Sequence, residues 1–132
     1  MPSSPNLTVK TGDYTDSAFL ESVLQGQDVL ILTFHFFTPP DVQNNFIHAA
    51  ARAGVPWIIP NEYSSDPLNK KLTDEVQMIG HKVQFRDLIE KLGKSAWIGI
   101  ATGFWLDYVS TLGWFHRGLV MRCEINYRLL RG

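Results

Sequence analysis

The strongest constraint in this sequence is a repeated alternation of short apolar runs with stretches of helical periodicity. Val29-Leu30-Ile31-Leu32-Thr33 is a continuous apolar run of strand length. Without polar alternation it reads as a strand covered on both faces, the signature of a parallel sheet. Thr38-Pro39-Pro40-Asp41 then starts a helix. Thr38 caps it, Pro39 sits where a missing N–H costs nothing, and Asp41 supplies the acidic partner of a capping box. Val42, Phe46, Ala49, Ala50 and Ala53 recur at helical spacing, and Gly54 ends the element. Residues 55–59 follow as a second buried strand and run into the polar loop Pro60-Asn61-Glu62-Tyr63. In open α/β sheets the carboxyl ends of the strands are where ligands bind.

The same alternation extends in both directions. Residues 1–6 are Pro/Ser-rich and expected to be unstructured. Residues 7–10 form a short strand candidate, and Thr15 caps a helix over about 16–25 that has Leu20, Val23 and Leu24 inside and Gly26 as its stop. A third helix is expected over about 74–92. Residues 95–101 form the last apolar strand, ending at Thr102-Gly103-Phe104-Trp105. The order βαβαβαβ places the chain in the α/β class, with right-handed parallel crossovers. Residues 119–129 alternate apolar and polar with period two, which predicts a half-exposed strand.

Charge divides the chain. Residues 1–108 hold eight Lys/Arg against twelve Asp/Glu, while residues 109–132 hold four Arg against one Glu. The expected organisation is one body over 1–108 and a divergent basic tail over 109–132. The net charge of -1 gives no electrostatic reason to expect nucleic acid or an anionic membrane surface. The single Cys123 excludes an internal disulfide and suits a reducing compartment. No apolar run is long enough to span a bilayer, and the first residues lack a secretory pattern, so a cytoplasmic location is the expectation.

Gly12-Asp13-Tyr14-Thr15-Asp16, Gly26-Gln27-Asp28-Val29, Ile59-Pro60-Asn61-Glu62-Tyr63, and Lys82 through Arg86 to Ile89-Glu90 together resemble the NmrA-like, isoflavone-reductase-like proteins. These are atypical relatives of the short-chain dehydrogenases. The resemblance covers roughly residues 7–108 and implies a partial Rossmann-like, NAD(P)-binding parallel sheet with flanking helices. It also implies NADP(H) as the cofactor of the parent family. No G-x-x-G-x-x-G occurs in the chain, which begins where the family's third strand belongs. The first βαβ unit, whose glycine-rich turn holds the pyrophosphate, is therefore expected to be missing. Weak or no dinucleotide binding is the expectation for this chain. In the strand order 3-2-1-4-5-6 the missing strands separate residues 7–10 from 29–33, so these two are expected to close the gap and pair directly.

The resemblance implies Lys82 as the catalytic residue, the matching lysine of the family sitting by the nicotinamide ribose and taking part in proton transfer. Arg86, one helical turn on, is expected to favour the neutral amine. The competing reading is a solvated helix face with Arg86–Glu90 and Asp87–Lys91 as i,i+4 pairs. Met78 stands four residues before Lys82, so no Tyr-x-x-x-Lys pair exists. Thr33, Phe34, Asn61, Glu62 and Tyr63 are the candidate cofactor-side residues. Phe104, Trp105 and Tyr108 are candidates for an apolar substrate wall, against the plainer reading of core packing. His35 reads as a packed aromatic, and no metal-ligand spacing, Gly-x-Ser-x-Gly elbow or P-loop is present. The resulting expectation is an NAD(P)H-dependent oxidoreductase that reduces a small aromatic or carbonyl-containing metabolite, impaired in this chain. The alternatives are a non-catalytic dinucleotide-sensing regulator that binds a protein partner, and a non-functional fragment.

Overall fold

Three apolar strands lie side by side in parallel, as the alternation requires. The structure, a computed structural model, describes residues 6–35, 37–75 and 80–103, and residues 124–128 as backbone. In chain order the elements are α1 (Ser17–Leu24), β1 (Val29–Ile31), α2 (Pro40–Ala53), β2 (Trp57–Ile59), α3 (Lys70–Glu75), α4 (Val83–Leu92), β3 (Ala96–Ala101) and β4 (Glu124–Arg128). The sheet order is β1-β2-β3-β4. Leu30 faces Ile58 across the first pair and Ile58 faces Trp97 across the second, both parallel. The Leu32 N–H donates to Ile59 O at 3.0 Å, carrying the ladder one residue past β1. β4 runs antiparallel beside β3, with Tyr127 opposite Ile98. The period-two reading of the tail thus holds over Glu124–Arg128, while the rest of 119–129 lies outside the described residues.

Local chemistry decides the helix ends, in places against the sequence reading. Asp16, not Thr15, caps α1. Its carboxylate accepts from the Ala18 and Phe19 N–H groups at 2.9 and 3.2 Å, whereas Thr15 gives its own N–H and hydroxyl to Asp13. An anionic cap satisfies two free donors and opposes the helix dipole, which a neutral threonine does less well. α2 starts one residue later than expected. Pro39 is its N-cap, Pro40 takes the first helical position, and no side chain, Thr38 included, caps it. Gly54 ends it in the left-handed conformation, φ 75°, donating to Ala50 O. The expected third helix over 74–92 is broken. Asn69 starts α3 early by accepting the Leu72 N–H on Oδ1 and the Thr73 N–H on its carbonyl. His81 and Lys82 form a turn before α4 begins.

α1 packs on α2 and α2 on α4, and this layer buries one face of the sheet. Leu20, Ile47, Ile58 and Ile89 are its largest fully buried apolar side chains, with Leu30, Leu32, Phe85 and Trp97 around them. Each such side chain contributes about 1.5–3 kcal/mol on burial. The expectation that residues 29–33 are covered on both faces fails. Val29 and Ile31 point to the other face and are 46% and 58% exposed. Nor do residues 7–10 close onto β1: they are exposed and form no strand. Four residues with two apolar side chains gain too little from one short edge to offset their ordering. Among the described residues no strand pairs with the outer edge of β1.

An apolar free edge is a template for pairing with other chains. Replacing Val29 and Ile31 together by lysine should reduce concentration-dependent self-association in light scattering, at a stability cost of about 0.5 kcal/mol or less per site. An unchanged mass at high concentration would show that this face is not the contact.

Candidate functional site

β2 ends at Ile59, and the loop that follows turns over the carboxyl ends of the strands. Asn61 Nδ2 donates to Phe34 O at 3.1 Å, which ties this loop to the one leaving β1. The next residue goes the other way. Glu62 is 1% exposed and lies against Arg86 of α4, itself 3% exposed. Arg86 Nε donates to Glu62 Oε1 and Oε2 at 2.8 and 3.0 Å, and its Nη2 also donates to Oε2. The guanidinium carbon stands 4.4 Å over the Trp97 ring. Gly99 provides the space for the pair: a Cβ there would meet Arg86 Nη2 at 2.5 Å and Glu62 Oε2 at 2.8 Å.

Lys82 sits at the turn before α4, and its Nζ donates to Ser64 Oγ at 2.7 Å. Burial lowers the Lys82 pKa below the ordinary lysine range, and the negative charge of Glu62 partly opposes this. Arg86 is not the cause expected from the sequence, because its charge is matched by Glu62. Tyr63 is pushed above the ordinary tyrosine value, mainly by burial and further by Glu62. Ser64 O accepts the Gly103 N–H at 3.1 Å, so the loop after β2 also holds the chain leaving β3.

A cavity of about 260 Å³ opens at this end of the sheet, between the starts of α2 and α4. Its lining includes Phe34, Gln43, Asn61, Lys82 and Phe85. The structure therefore brings together Lys82, Asn61 and Phe34 of the expected site. Thr33, Glu62 and Tyr63 are not in the lining, and Phe104, Trp105 and Tyr108 lie outside the described residues. His35 is exposed, its ring 5.6 Å from that of Phe37, and its Nδ1 accepts the Phe37 N–H. Arg86 is no part of a solvated helix face, since it is buried on Glu62. Two residues were missed by the sequence reading. Gln43 stands on the same helical face as Ile47 and Ala50, where a polar residue in an apolar stripe is the signal. Ser64 carries no such signal. Among the described residues no group of acidic, histidine or cysteine side chains could hold a metal ion, and no helix is long and apolar enough to cross a membrane.

A parallel sheet with a helix layer and a cavity at its carboxyl edge defines a partial Rossmann-like domain. Its fold matches AtPrR2 solved with NADP+ and (+)pinoresinol (TM-score 0.63, 22% identity). It also matches the Citrobacter sp. triphenylmethane reductase complexed with NADP(H) (TM-score 0.53, 17% identity). Each match covers 74% of this chain and 33% of the other, so the chain spans about a third of the length of these proteins. No curated protein matches the sequence significantly. Residues 2–120 match the NmrA-like family, reaching beyond Tyr108, and the chain belongs to that family.

Two outcomes follow from the buried charges. Glu62→Gln leaves the Arg86 cation buried without its anion, which should cost about 3–5 kcal/mol, read as a lowered denaturant midpoint. A midpoint within error of the wild type would mean that the pair carries no such constraint. For Lys82 the folded state binds its proton less tightly than the unfolded state. Between the depressed folded pKa and the ordinary one, stability therefore rises with pH. Lys82→Met should be more stable than the wild type at pH 7, by a margin that shrinks as pH approaches the ordinary lysine range. A pH-independent difference would contradict the burial of the charge.

Proposed function

We propose that this chain carries the nicotinamide-side half of an NAD(P)H-dependent oxidoreductase of the NmrA-like family, one that reduces a small aromatic or carbonyl-containing metabolite. The observation that carries the reading is Lys82. It is a mostly buried amine held by Ser64 at the rim of a cavity at the strands' carboxyl ends, with its pKa depressed toward the neutral form. A general acid or base works best when its pKa lies near the working pH, and burial moves Lys82 in that direction. Both solved relatives were bound to NADP.

The residues fit that cofactor at one end only. Asn61 and Lys82 suit the hydroxyl and carboxamide groups of a nicotinamide riboside, and the cavity is below the usual 300–1,000 Å³ of small-molecule sites, enough for a ring rather than a dinucleotide. Nothing in the sequence suits the pyrophosphate, because no glycine-rich turn opens a helix. The bound cofactor supplies hydride, and the protein positions the reactants and manages the proton. Lys82 Nζ moves that proton at the substrate oxygen, with Ser64 Oγ fixing the direction of the amine. Asn61 keeps the two strand-end loops together and so holds the rim. The exposed Val29 and Ile31 favour the second reading, a dinucleotide-sensing regulator whose protein partner covers that face.

Titration of NADPH into this chain should show no saturation at micromolar concentration, about -8 kcal/mol. In a chimera supplying a family glycine-rich βαβ unit ahead of residue 7, NADPH should bind and be oxidised by an aryl carbonyl substrate. There Lys82→Ala should lower turnover about 10²–10⁴-fold with affinity for NADPH kept. Binding without oxidation would favour the regulator, and unchanged turnover would remove Lys82 from the proton path.

A further inference from the structure

Lys82 is a mostly buried amine whose partner is a hydroxyl. Its Nζ donates to Ser64 Oγ at 2.7 Å, and no carboxylate among the described residues forms a salt bridge with it. The carboxylate that acts on it, Glu62, is taken up by Arg86. A buried charge without an ion pair is costly, and burial accordingly lowers the Lys82 pKa. Once neutral the amine is an acceptor, and the group placed to donate to it is the Ser64 hydroxyl. The serine is held as firmly as the lysine. Its N–H donates to Glu62 O and its C=O accepts the Gly103 N–H at 3.1 Å, so both of its backbone groups are engaged. Glu62 is in turn locked on Arg86, which ties this turn to the core. Ser64 itself stays half-buried rather than enclosed.

We propose that Ser64 Oγ is a nucleophile and Lys82 Nζ its general base, a dyad that transfers acyl groups from small uncharged aryl esters. A serine beside a neutral amine needs no histidine, since the amine can take the hydroxyl proton. Oγ bonds to the ester carbonyl carbon while its proton passes to Nζ. The tetrahedral intermediate then breaks its C–O bond to the leaving group, and that oxygen takes the proton from Nζ. Water repeats the sequence on the acyl-serine, which releases a carboxylic acid and restores Ser64. The oxygen that becomes negative has a donor in the same wall. Asn61 Nδ2 carries two hydrogens. Phe34 O engages one of them, leaving the second for the oxyanion. The cavity that Lys82 and Asn61 line also presents Phe34, Phe37 and Phe85 and no Asp or Glu, which suits an uncharged aryl group. This chemistry goes beyond hydride transfer and shares with that reading only the placement of Lys82 and Asn61.

The test uses the whole chain without dinucleotide, with p-nitrophenyl acetate as the ester. A stoichiometric burst of p-nitrophenolate should appear, and peptide mapping by mass spectrometry should place a single acetyl group on Ser64. Ser64→Ala should lose both. Lys82→Arg keeps the cation but cannot take a proton, and it should slow the burst about 10²–10⁴-fold. Acylation of the wild type should rise with pH to a plateau reached below the ordinary lysine range, because only the neutral amine acts as a base. The other charged or titratable groups around the dyad are His35 and His81 in the cavity lining, and Glu62 and Arg86, which neutralise each other. His35→Gln and His81→Gln should leave the pH profile in place, which assigns it to Lys82.

The unmutated chain decides on its own, whatever the variants do to stability. Absence of a burst and of any adduct overturns the proposal. So do acetyl groups on Lys82 or on exposed lysines with Ser64 unmodified, because the amine is then the nucleophile. A burst in Ser64→Ala equal to that of the wild type, or a rate that follows hydroxide with no plateau, overturns it as well. The assay contains no hydride donor. A chimera that fails to oxidise NADPH therefore defeats the reductase reading alone, while absence of an acetyl-serine defeats this proposal alone.

Discussion

The buried pair of Glu62 and Arg86 is the constraint on which the candidate site depends. It joins the loop after β2 to α4 across 24 residues of sequence. It rests on the sheet only because Gly99 has no side chain. Two oxygens and two nitrogens engage, a bidentate geometry that fixes orientation as well as distance. In energy alone such a pair is a poor investment, since well-packed apolar residues often serve as well or better. What it supplies is position. With Glu62 drawn inward, Asn61 is left on the outer side of the loop, where it reaches Phe34. Ser64, two residues further on, is placed to meet Lys82.

The parts of the fold that were legible are those set by a single run of sequence. Residues 29–33, 55–59 and 95–101 are continuous apolar runs, and one helix-bearing crossover between neighbours makes their parallel pairing nearly obligatory. Residues 7–10 failed because a strand exists only with a partner, and four residues say nothing about what lies beside them. Asp13-Tyr14-Thr15-Asp16 offers three capping side chains within four positions, and only the backbone trajectory decides between them. The expectation of two covered faces failed for a related reason. A continuous apolar run reports what a strand is suited to, while α1, α2 and α4 form a layer on one side.

Legibility of the site divides along the same line. Lys82, Asn61 and Phe34 come together at one cavity, and each lies at an element boundary that the sequence marks. Glu62 was read as facing the cleft. Its burial depends on Arg86 and Gly99, neither of which the local sequence around Glu62 announces. Arg86 was read through its neighbours on the helix, Lys82 and Glu90, when its partner comes from another element. Gln43 was passed over because its apolar neighbours Val42 and Phe46 defined the stripe. Phe104, Trp105 and Tyr108 fall outside the described residues, and their reading as a substrate wall rests on the sequence alone.

These placements bear directly on the charge of Lys82. A cation one helical turn away would ordinarily push an amine toward neutrality, and that was the expected mechanism. Once Arg86 is matched by Glu62, the pair presents little net charge, and its carboxylate works against neutrality rather than for it. Burial then has to do the work, which makes the lowered pKa a property of the cavity wall and not of a neighbouring charge. The hydroxyl of Ser64 fits this arrangement. It accepts from the ammonium form, and it can rotate to donate when the amine is neutral. A partner able to do both neither fixes the protonation state nor leaves the amine unsatisfied in either one. That is what a lysine needs if it is to give up a proton and take it back in place.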